Sequence, residues 1–222
     1  MDIMLRSALT RALGWELDNE LGEGSRGTVF RVGGDAVAKI SNNDGDYLVA
    51  KAILGESRVP VVLPEIYEAK AISLPAFGKY WCVLREDLPD LPKKELEGID
   101  WAAIYAVVRN AISKIFDEYY PPTFYKASLK TPPFRTLFPG EPYPNDKTIA
   151  VFEHLRDPLL WLYERGLFVD DVSNYNLGYR ANGLVVIRDF SETGYFDDHP
   201  STTKPRPESW YKSKSNGSRS KK

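Results

Sequence analysis

The sequence predicts an α+β fold, with a five-stranded sheet in the first part of the chain and helices in the second. Two observations predict it. Short runs of β-branched and aromatic residues, separated by glycine-rich turns, fill the first 90 residues. Long stretches with a helical spacing of apolar residues follow from residue 99. We therefore expect a strand-rich lobe over residues 1–88, a reduced helical lobe over residues 89–196 and a disordered basic tail over residues 197–222.

The composition is that of a globular protein and excludes several classes. Of the 222 residues, 43% are hydrophobic and 27% are charged, which excludes a fully disordered or fibrous chain. Acidic residues outnumber basic ones by 31 to 29, although residues 212–222 hold five basic and no acidic side chains. An acidic main body argues against a nucleic-acid partner.

Two further features of the sequence indicate the subcellular location. No apolar stretch is long enough to span a bilayer or to resemble a signal peptide. Cys82 has no second cysteine to pair with, and its apolar neighbours Trp81 and Val83 predict a buried thiol. We therefore expect a cytoplasmic protein that makes no membrane contact.

The elements of the strand-rich part follow from its apolar pattern. A helical spacing over residues 2–13 predicts a short amphipathic helix. Between Trp15 and Ile40, extended runs around glycine turns predict three antiparallel strands. Asn43-Asp44 can cap a helix over residues 46–54. Two further strands complete the predicted sheet, Ile66 to Leu74 and Lys79 to Leu84.

Proline and glycine divide the second part of the chain. Ile99 to Tyr119 contains neither residue and predicts a buried helix. Seven prolines between Pro121 and Pro144 predict an irregular surface insertion. Residues 148–165 have a helical pattern, in which Asp157-Pro158 leaves open two helices or a single kinked one. A turn at residues 181–183 then predicts a hairpin of two strands, Leu177 to Arg180 and Leu184 to Ile187.

A glycine-rich loop over residues 21–30 carries the pattern G-x-G-x-x-G-x-V, formed by Gly22, Gly24, Gly27 and Val29. Glycines there let backbone amides approach a polyphosphate. A dinucleotide-binding fold needs a helix directly after such a loop, whereas the residues from Thr28 onward are β-branched and aromatic and predict a strand. Taken alone, this loop leaves a ligand-free hairpin equally open.

Four polar residues favour a phosphate-binding loop over a ligand-free hairpin. Lys39 lies among small apolar residues on the predicted neighbouring strand, where an ammonium group could reach phosphate oxygens. Asp171 and Asn176 form a D-x-x-x-x-N pattern, and Asp189 follows the second strand of the predicted hairpin. An amide and a carboxylate oxygen at such positions suit Mg2+, which binds nucleotide phosphates and keeps several waters.

The order and spacing of these motifs resemble the protein-kinase-like superfamily over roughly residues 16–196. The resemblance implies a two-lobed kinase-like fold that binds ATP and Mg2+. It implies that the glycine-rich loop covers ATP and that Lys39 contacts the α and β phosphates. Glu86 would lie in the hinge whose backbone receives adenine. Asp171 would orient the acceptor hydroxyl or accept its proton, while Asn176 and Asp189 would hold the metal ions.

Several residues depart from that superfamily's pattern. Val169-Asp170-Asp171 stands in place of H-R-D, and Ser191 stands in place of the glycine of D-F-G. The helix predicted over residues 46–54 contains no glutamate to pair with Lys39, and Glu56 lies just beyond it. The short segment after Asp189 lacks A-P-E, as in minimal kinases of bacterial effectors and phages.

Three functions are compatible with these residues. The resemblance favours a Ser/Thr protein kinase that transfers phosphate to hydroxyls of an unidentified protein substrate. A small-molecule kinase of the aminoglycoside or choline kinase type is the second, because the peptide-binding platform is missing. The third is a pseudokinase that binds an activating or docking partner, which the departures at Asp170 and Ser191 favour.

Overall fold

The computed structural model describes residues 1–24, 26–115, 144–169, 171–190 and 193–195. A helix opens the chain and three strands, a helix and two strands follow it: α1 (Ile3–Leu13), β1 (Glu20–Gly24), β2 (Gly27–Val32), β3 (Ala36–Ser41), α2 (Gly45–Leu54), β4 (Ile66–Leu74) and β5 (Gly78–Glu86). The remaining described helices and strands are α3 (Lys93–Leu96), α4 (Trp101–Ile115), α5 (Asp146–Tyr163), β6 (Leu167–Val169), a one-turn 3-10 helix (Asn174–Asn176), β7 (Leu177–Tyr179), β8 (Val185–Ile187) and β9 (Thr193–Tyr195).

The first five strands form one antiparallel sheet in the order β1-β2-β3-β5-β4. This confirms the predicted five-stranded sheet. The central strand β3 pairs with β2 on one side and β5 on the other, so Lys39 lies between Val29 and Val83. Paired residues of antiparallel strands present their side chains on the same face, and each strand alternates faces along its length.

That alternation gives the sheet two different faces. One face carries Phe30, Ala38 and Cys82, which pack with Leu9 and Leu13 of α1 into a buried apolar cluster. The opposite face carries Lys39, which forms an ion pair with the first turn of α2. Helix α1 therefore covers the face that carries Ala38. The face that carries Lys39 contacts α2.

Both predicted helices of the first part are present. The Asp2 carboxylate caps α1 by accepting hydrogen bonds from the backbone N–H groups of Met4 (2.7 Å) and Leu5 (3.2 Å). Helix α1 ends at Gly14, whose φ of +72° is a left-handed value that favours glycine. At α2, the side chain of Asn43 accepts from the Gly45 N–H at 3.1 Å, whereas Asp44 makes no capping bond through its side chain.

A second apolar core forms where α4 and α5 pack with β6, β7 and β8, and it also includes Val49 and Ile53 of α2. Asn145 caps α5 by accepting from the Thr148 N–H at 2.9 Å. The sequence left open two helices or one around Asp157-Pro158, and the structure has one helix that runs through Pro158. Buried Leu155, Leu159 and Leu162 lie on both sides of this proline, so packing offsets the hydrogen bond that proline cannot donate.

The predicted hairpin is also confirmed, because β7 and β8 pair antiparallel from Leu177↔Ile187 to Tyr179↔Val185. The sequence did not predict α3, β6 or β9, of which the two strands pair with each other. The proline-rich insertion and the end of the helix predicted from Ile99 lie outside the described residues, as does the basic tail. Among the described helices, none combines the length and apolar character that a bilayer crossing requires.

Candidate active site

Lys39 is the centre of a buried charge cluster. Its side chain is only 5% exposed, and its Nζ lies 2.9 Å from Oδ2 of Asp46 and 2.7 Å from Oδ2 of Asp189. A lysine is rarely buried without such partners, because removing an ammonium group from water is costly. The cluster joins β3 and the start of α2, which are consecutive in sequence, to the distant segment after β8.

Asp46 is the partner of Lys39 that the sequence did not identify. It lies in the first turn of α2, is 6% exposed, and accepts a hydrogen bond from the Phe190 N–H through Oδ1 at 3.0 Å. A carboxylate is favoured in the first turn of a helix, where backbone N–H groups point outward. Glu56, the other acidic residue considered for Lys39, instead pairs with Arg165 at 2.9 Å.

Asn176 and Asp189 lie side by side, as the D-x-x-x-x-N pattern and the hairpin predict. The backbone carbonyl of Asn176 accepts from the N–H groups of Arg188 (2.9 Å) and Asp189 (3.3 Å). The Asn176 side chain donates through Nδ2 to the backbone carbonyl of Asp171 at 3.0 Å. The structure therefore connects Lys39, Asp189, Asn176 and Asp171 in one continuous series of contacts.

The donor set of this cluster fits a magnesium ion. The Nδ2 donation to Asp171 leaves Oδ1 of Asn176 as an acceptor, and the backbone contact between Asn176 and Asp189 makes the carboxylate-bearing residue its neighbour. Among the described residues there is no group of three or more His, Cys, Asp or Glu side chains that could hold a metal by themselves. One amide and one carboxylate are a sparse set that suits Mg2+, since this ion keeps several waters and takes substrate phosphates as further ligands.

The glycines of the glycine-rich loop play two different parts. Gly22 has open space where a Cβ would lie, and at Gly24 the nearest neighbour would be 3.9 Å away. At Gly27 a Cβ would lie only 2.5 Å from the carbonyl oxygen of Ile40. Gly22 and Gly24 therefore leave room above the strands, while Gly27 allows β2 and β3 to approach. Val29 is half-buried next to Lys39 in the register.

Glu86 lies at the end of β5, and its groups are already engaged. Its N–H donates to the Glu65 carbonyl at 3.0 Å, and its carbonyl accepts from Nη1 of Arg85 at 3.0 Å. Its carboxylate accepts from Arg180 through Nε at 3.0 Å and through Nη2. This hydrogen bond raises the pKa of the Arg180 guanidinium above its ordinary value. The predicted role of Glu86 beside adenine stays a prediction.

Arg180 turns this contact into a connection between two parts of the structure. Besides Glu86, it donates to the backbone carbonyls of Val61 and of Leu63 (3.2 Å). It follows β7 directly, so it ties the end of β5 to the hairpin that lies between Asn176 and Asp189. No local pattern in the sequence indicates this pair, because the two residues are 94 positions apart.

Comparison with known proteins gives a loose structural likeness only. No protein-family model and no curated protein matches the sequence. A crystal structure of WbdD is 15% identical over 89% of this chain, with a TM-score of 0.38. A co-crystal structure of WbdD and the kinase inhibitor LY294002 is 12% identical over 81% of this chain, with a TM-score of 0.35.

This chain spans about a third of the length of those WbdD chains, since it covers 36% and 33% of them.

Proposed function

We propose that this protein is a Mg-ATP-dependent phosphotransferase with a two-lobed kinase-like fold, divided near residues 88 and 89. The observation that carries the proposal is the pairing of buried Lys39 with both Asp46 and Asp189. A buried ion pair is weak evidence for stability, because desolvation offsets much of its attraction. A lysine held between two carboxylates, with Asn176 next to one of them, is explained better by a phosphate and metal site.

Each residue has a distinct role in this proposal. Lys39 binds phosphate oxygens of ATP, and Asp189 with Asn176 would hold Mg2+. The ion would supply positive charge at the phosphates when bound. Gly22 and Gly24, which have open space above them, let the backbone of the glycine-rich loop approach the phosphates. Glu86 would lie in the hinge beside adenine.

Asp171 acts on the acceptor. Its carboxylate orients the attacking hydroxyl and takes its proton as the oxygen forms a bond to the γ phosphorus. The bond between that phosphorus and the oxygen bridging it to the β phosphate breaks, and ADP leaves. The backbone of Asp171 is held by the Asn176 side chain at 3.0 Å, which keeps the base beside the proposed metal ligands.

The acceptor we propose is a Ser or Thr hydroxyl of a protein, with the chain's own serines as candidates. The experiment is incubation of purified protein with γ-labelled Mg-ATP, a general protein substrate and, separately, a panel of hydroxylated metabolites. Labelled protein supports the proposal. ADP release that depends on a metabolite, without labelled protein, would contradict a protein acceptor and support a small-molecule kinase.

Asp171→Ala tests the assigned base. We expect it to lower the rate by at least about 10²-fold, the usual scale of a lost acid-base contribution. Asp157→Ala is the matched control, because Asp157 is 72% exposed and pairs with its neighbour Arg156. Equal rates for Asp171→Ala and wild type would contradict the assignment. Binding of Mg-ATP without turnover of any acceptor would favour a pseudokinase that acts through a partner.

A further inference from the structure

Arg85 is a second buried cation on the sheet face that carries Lys39. The register pairs Val37 with Arg85 and Lys39 with Val83. Since Lys39 and Val37 are two residues apart, as are Val83 and Arg85, all four side chains lie on one face. Arg85 is only 7% exposed, so its guanidinium is held inside the protein rather than in solvent.

Its hydrogen bonding is incomplete. Nη1 donates to the Glu86 carbonyl at 3.0 Å, whereas Nε is buried and has no hydrogen-bond partner among the described residues. A buried donor without a partner is costly, and native structures retain few of them. Such a group in a candidate binding site is a place where a ligand acceptor would complete the set.

The surroundings of Arg85 link it to the cluster of Lys39. Burial lowers the pKa of the Arg85 guanidinium, while the carboxylate of Asp46 and, more weakly, that of Asp189 act in the opposite direction. Arg188 also lowers this pKa, and Asp87 raises it. Arginine keeps its charge in proteins even when buried. The guanidinium is therefore within electrostatic reach of the two carboxylates that hold Lys39.

The charges show what Arg85 adds. One lysine cannot offset the two carboxylates of Asp46 and Asp189, whereas Lys39 and Arg85 together do so. If Asp189 binds a metal ion, as the proposed function requires, the other three of these four groups are two cations and the carboxylate of Asp46. That arrangement has a net positive charge, which suits an anionic ligand and not a neutral one.

We propose that Arg85 is a second phosphate-binding residue of this site, which donates its Nε–H to a phosphate oxygen of the bound nucleoside triphosphate. The inference rests on the proposed function and adds a residue that the kinase-like motifs do not include. Phosphate oxygens are the preferred acceptors because a hydrogen bond between two charged groups is stronger than one to a neutral nucleobase.

The test compares three probes by calorimetry: Mg-ATP, Mg-tripolyphosphate, which has no base, and adenosine, which has no phosphate. Arg85→Met should weaken binding of the first two by about 10- to 100-fold, the scale of a hydrogen bond to a charged group. Adenosine binding should not change. Arg85→Lys, which keeps the charge and loses Nε–H, should lie between wild type and Arg85→Met. Lys79→Met is the matched control, because Lys79 is an exposed cation at the other end of β5.

The outcomes separate this inference from the proposed function. Wild type that binds neither Mg-ATP nor Mg-tripolyphosphate would overturn both. Equal affinities of wild type and Arg85→Met for Mg-tripolyphosphate would overturn the inference alone. Weakened adenosine binding with unchanged Mg-tripolyphosphate binding would also overturn it and assign Arg85 to the base. If Arg85→Met does not fold, folded Arg85→Lys decides, and unchanged affinity for Mg-tripolyphosphate in that variant would contradict the inference.

Discussion

Lys39 of β3 and Asp46 of α2 form a buried ion pair with 2.9 Å between Nζ and Oδ2. The other oxygen of Asp46 accepts from the Phe190 N–H at 3.0 Å, next to Asp189. Asp46 thus holds Lys39 with one oxygen and the backbone beside Asp189 with the other. A single short side chain fixes the relative positions of a strand, a helix and the segment that carries the proposed metal ligand.

Asp46→Asn tests this arrangement, because asparagine keeps an acceptor for the Phe190 N–H and removes the charge that faces Lys39. We expect phosphotransfer to fall by about 10- to 100-fold, the equivalent of a hydrogen bond to a charged group. Steady-state kinetics with Mg-ATP measures it. Glu56→Gln is the matched control and should leave the rate unchanged, since Glu56 pairs with Arg165 instead. A loss in Glu56→Gln that equals the loss in Asp46→Asn would contradict the assignment.

Two glycines of the glycine-rich loop should respond differently to alanine. In Gly27→Ala the new methyl group would lie 2.5 Å from the Ile40 carbonyl oxygen, so we expect the free energy of unfolding to fall by about 1–3 kcal/mol. In Gly24→Ala the methyl group meets nothing closer than 3.9 Å, and stability should stay within about 0.5 kcal/mol.

Urea denaturation of both variants measures the difference. Mg-ATP affinity should fall in Gly24→Ala, because the methyl group occupies space that the proposed phosphates need. Equal stability losses in the two variants would contradict the close approach of Gly27 to the Ile40 carbonyl oxygen.

The sequence predicted the sheet and the hairpin because each has a strong local signal. Alternation of apolar residues sets the strands, and the turn at Gly183, whose φ is +88°, sets the hairpin. Strands β6 and β9 have three residues each, too few for a periodic pattern. Their pairing depends on contacts between distant parts of the chain, which no local pattern records.

Asp46 shows a different kind of failure. It lies inside the predicted helix, whereas the kinase-like pattern has a glutamate as the partner of the lysine. A signal is present in the sequence, because Asp46 is an acidic residue in the first turn of the helix that follows the lysine-bearing strand. The sequence does not predict Arg85 and Arg180 as site residues, because arginine is most often a surface residue. Their partners are brought to them only by the fold.

The pair of Glu86 and Arg180 should contribute more to stability than the pair of Asp90 and Arg188. Glu86 and Arg180 are both mostly buried, whereas the Asp90 side chain is 86% exposed. A double-mutant cycle with Glu86→Gln and Arg180→Met should give a coupling energy of about 1–3 kcal/mol. The cycle with Asp90→Asn and Arg188→Met should give at most about 1 kcal/mol. Equal couplings would show that burial does not distinguish the two pairs.

Cys82 should be unreactive in the native protein. It is fully buried against the α1 side of the sheet, and burial raises the pKa of its thiol to about 12. At pH 8 the thiol is therefore neutral and shielded, and the thiolate is the reactive species. A colorimetric thiol reagent should label almost no protein before denaturant is added and one thiol per chain afterwards. Rapid native labelling would contradict the position of β5.

Transfer of the γ-phosphate from Mg-ATP, measured for wild type and Lys39→Met in parallel, tests whether the cluster around Lys39 is a phosphotransfer site. Lys51→Met is the matched control, because Lys51 is an exposed lysine of α2. We predict transfer by wild type and by the control, and a loss of at least about 10²-fold in Lys39→Met, the scale of one lost electrostatic contact to the reacting group. Equal transfer by wild type and folded Lys39→Met, or none by wild type with any acceptor, would contradict the account.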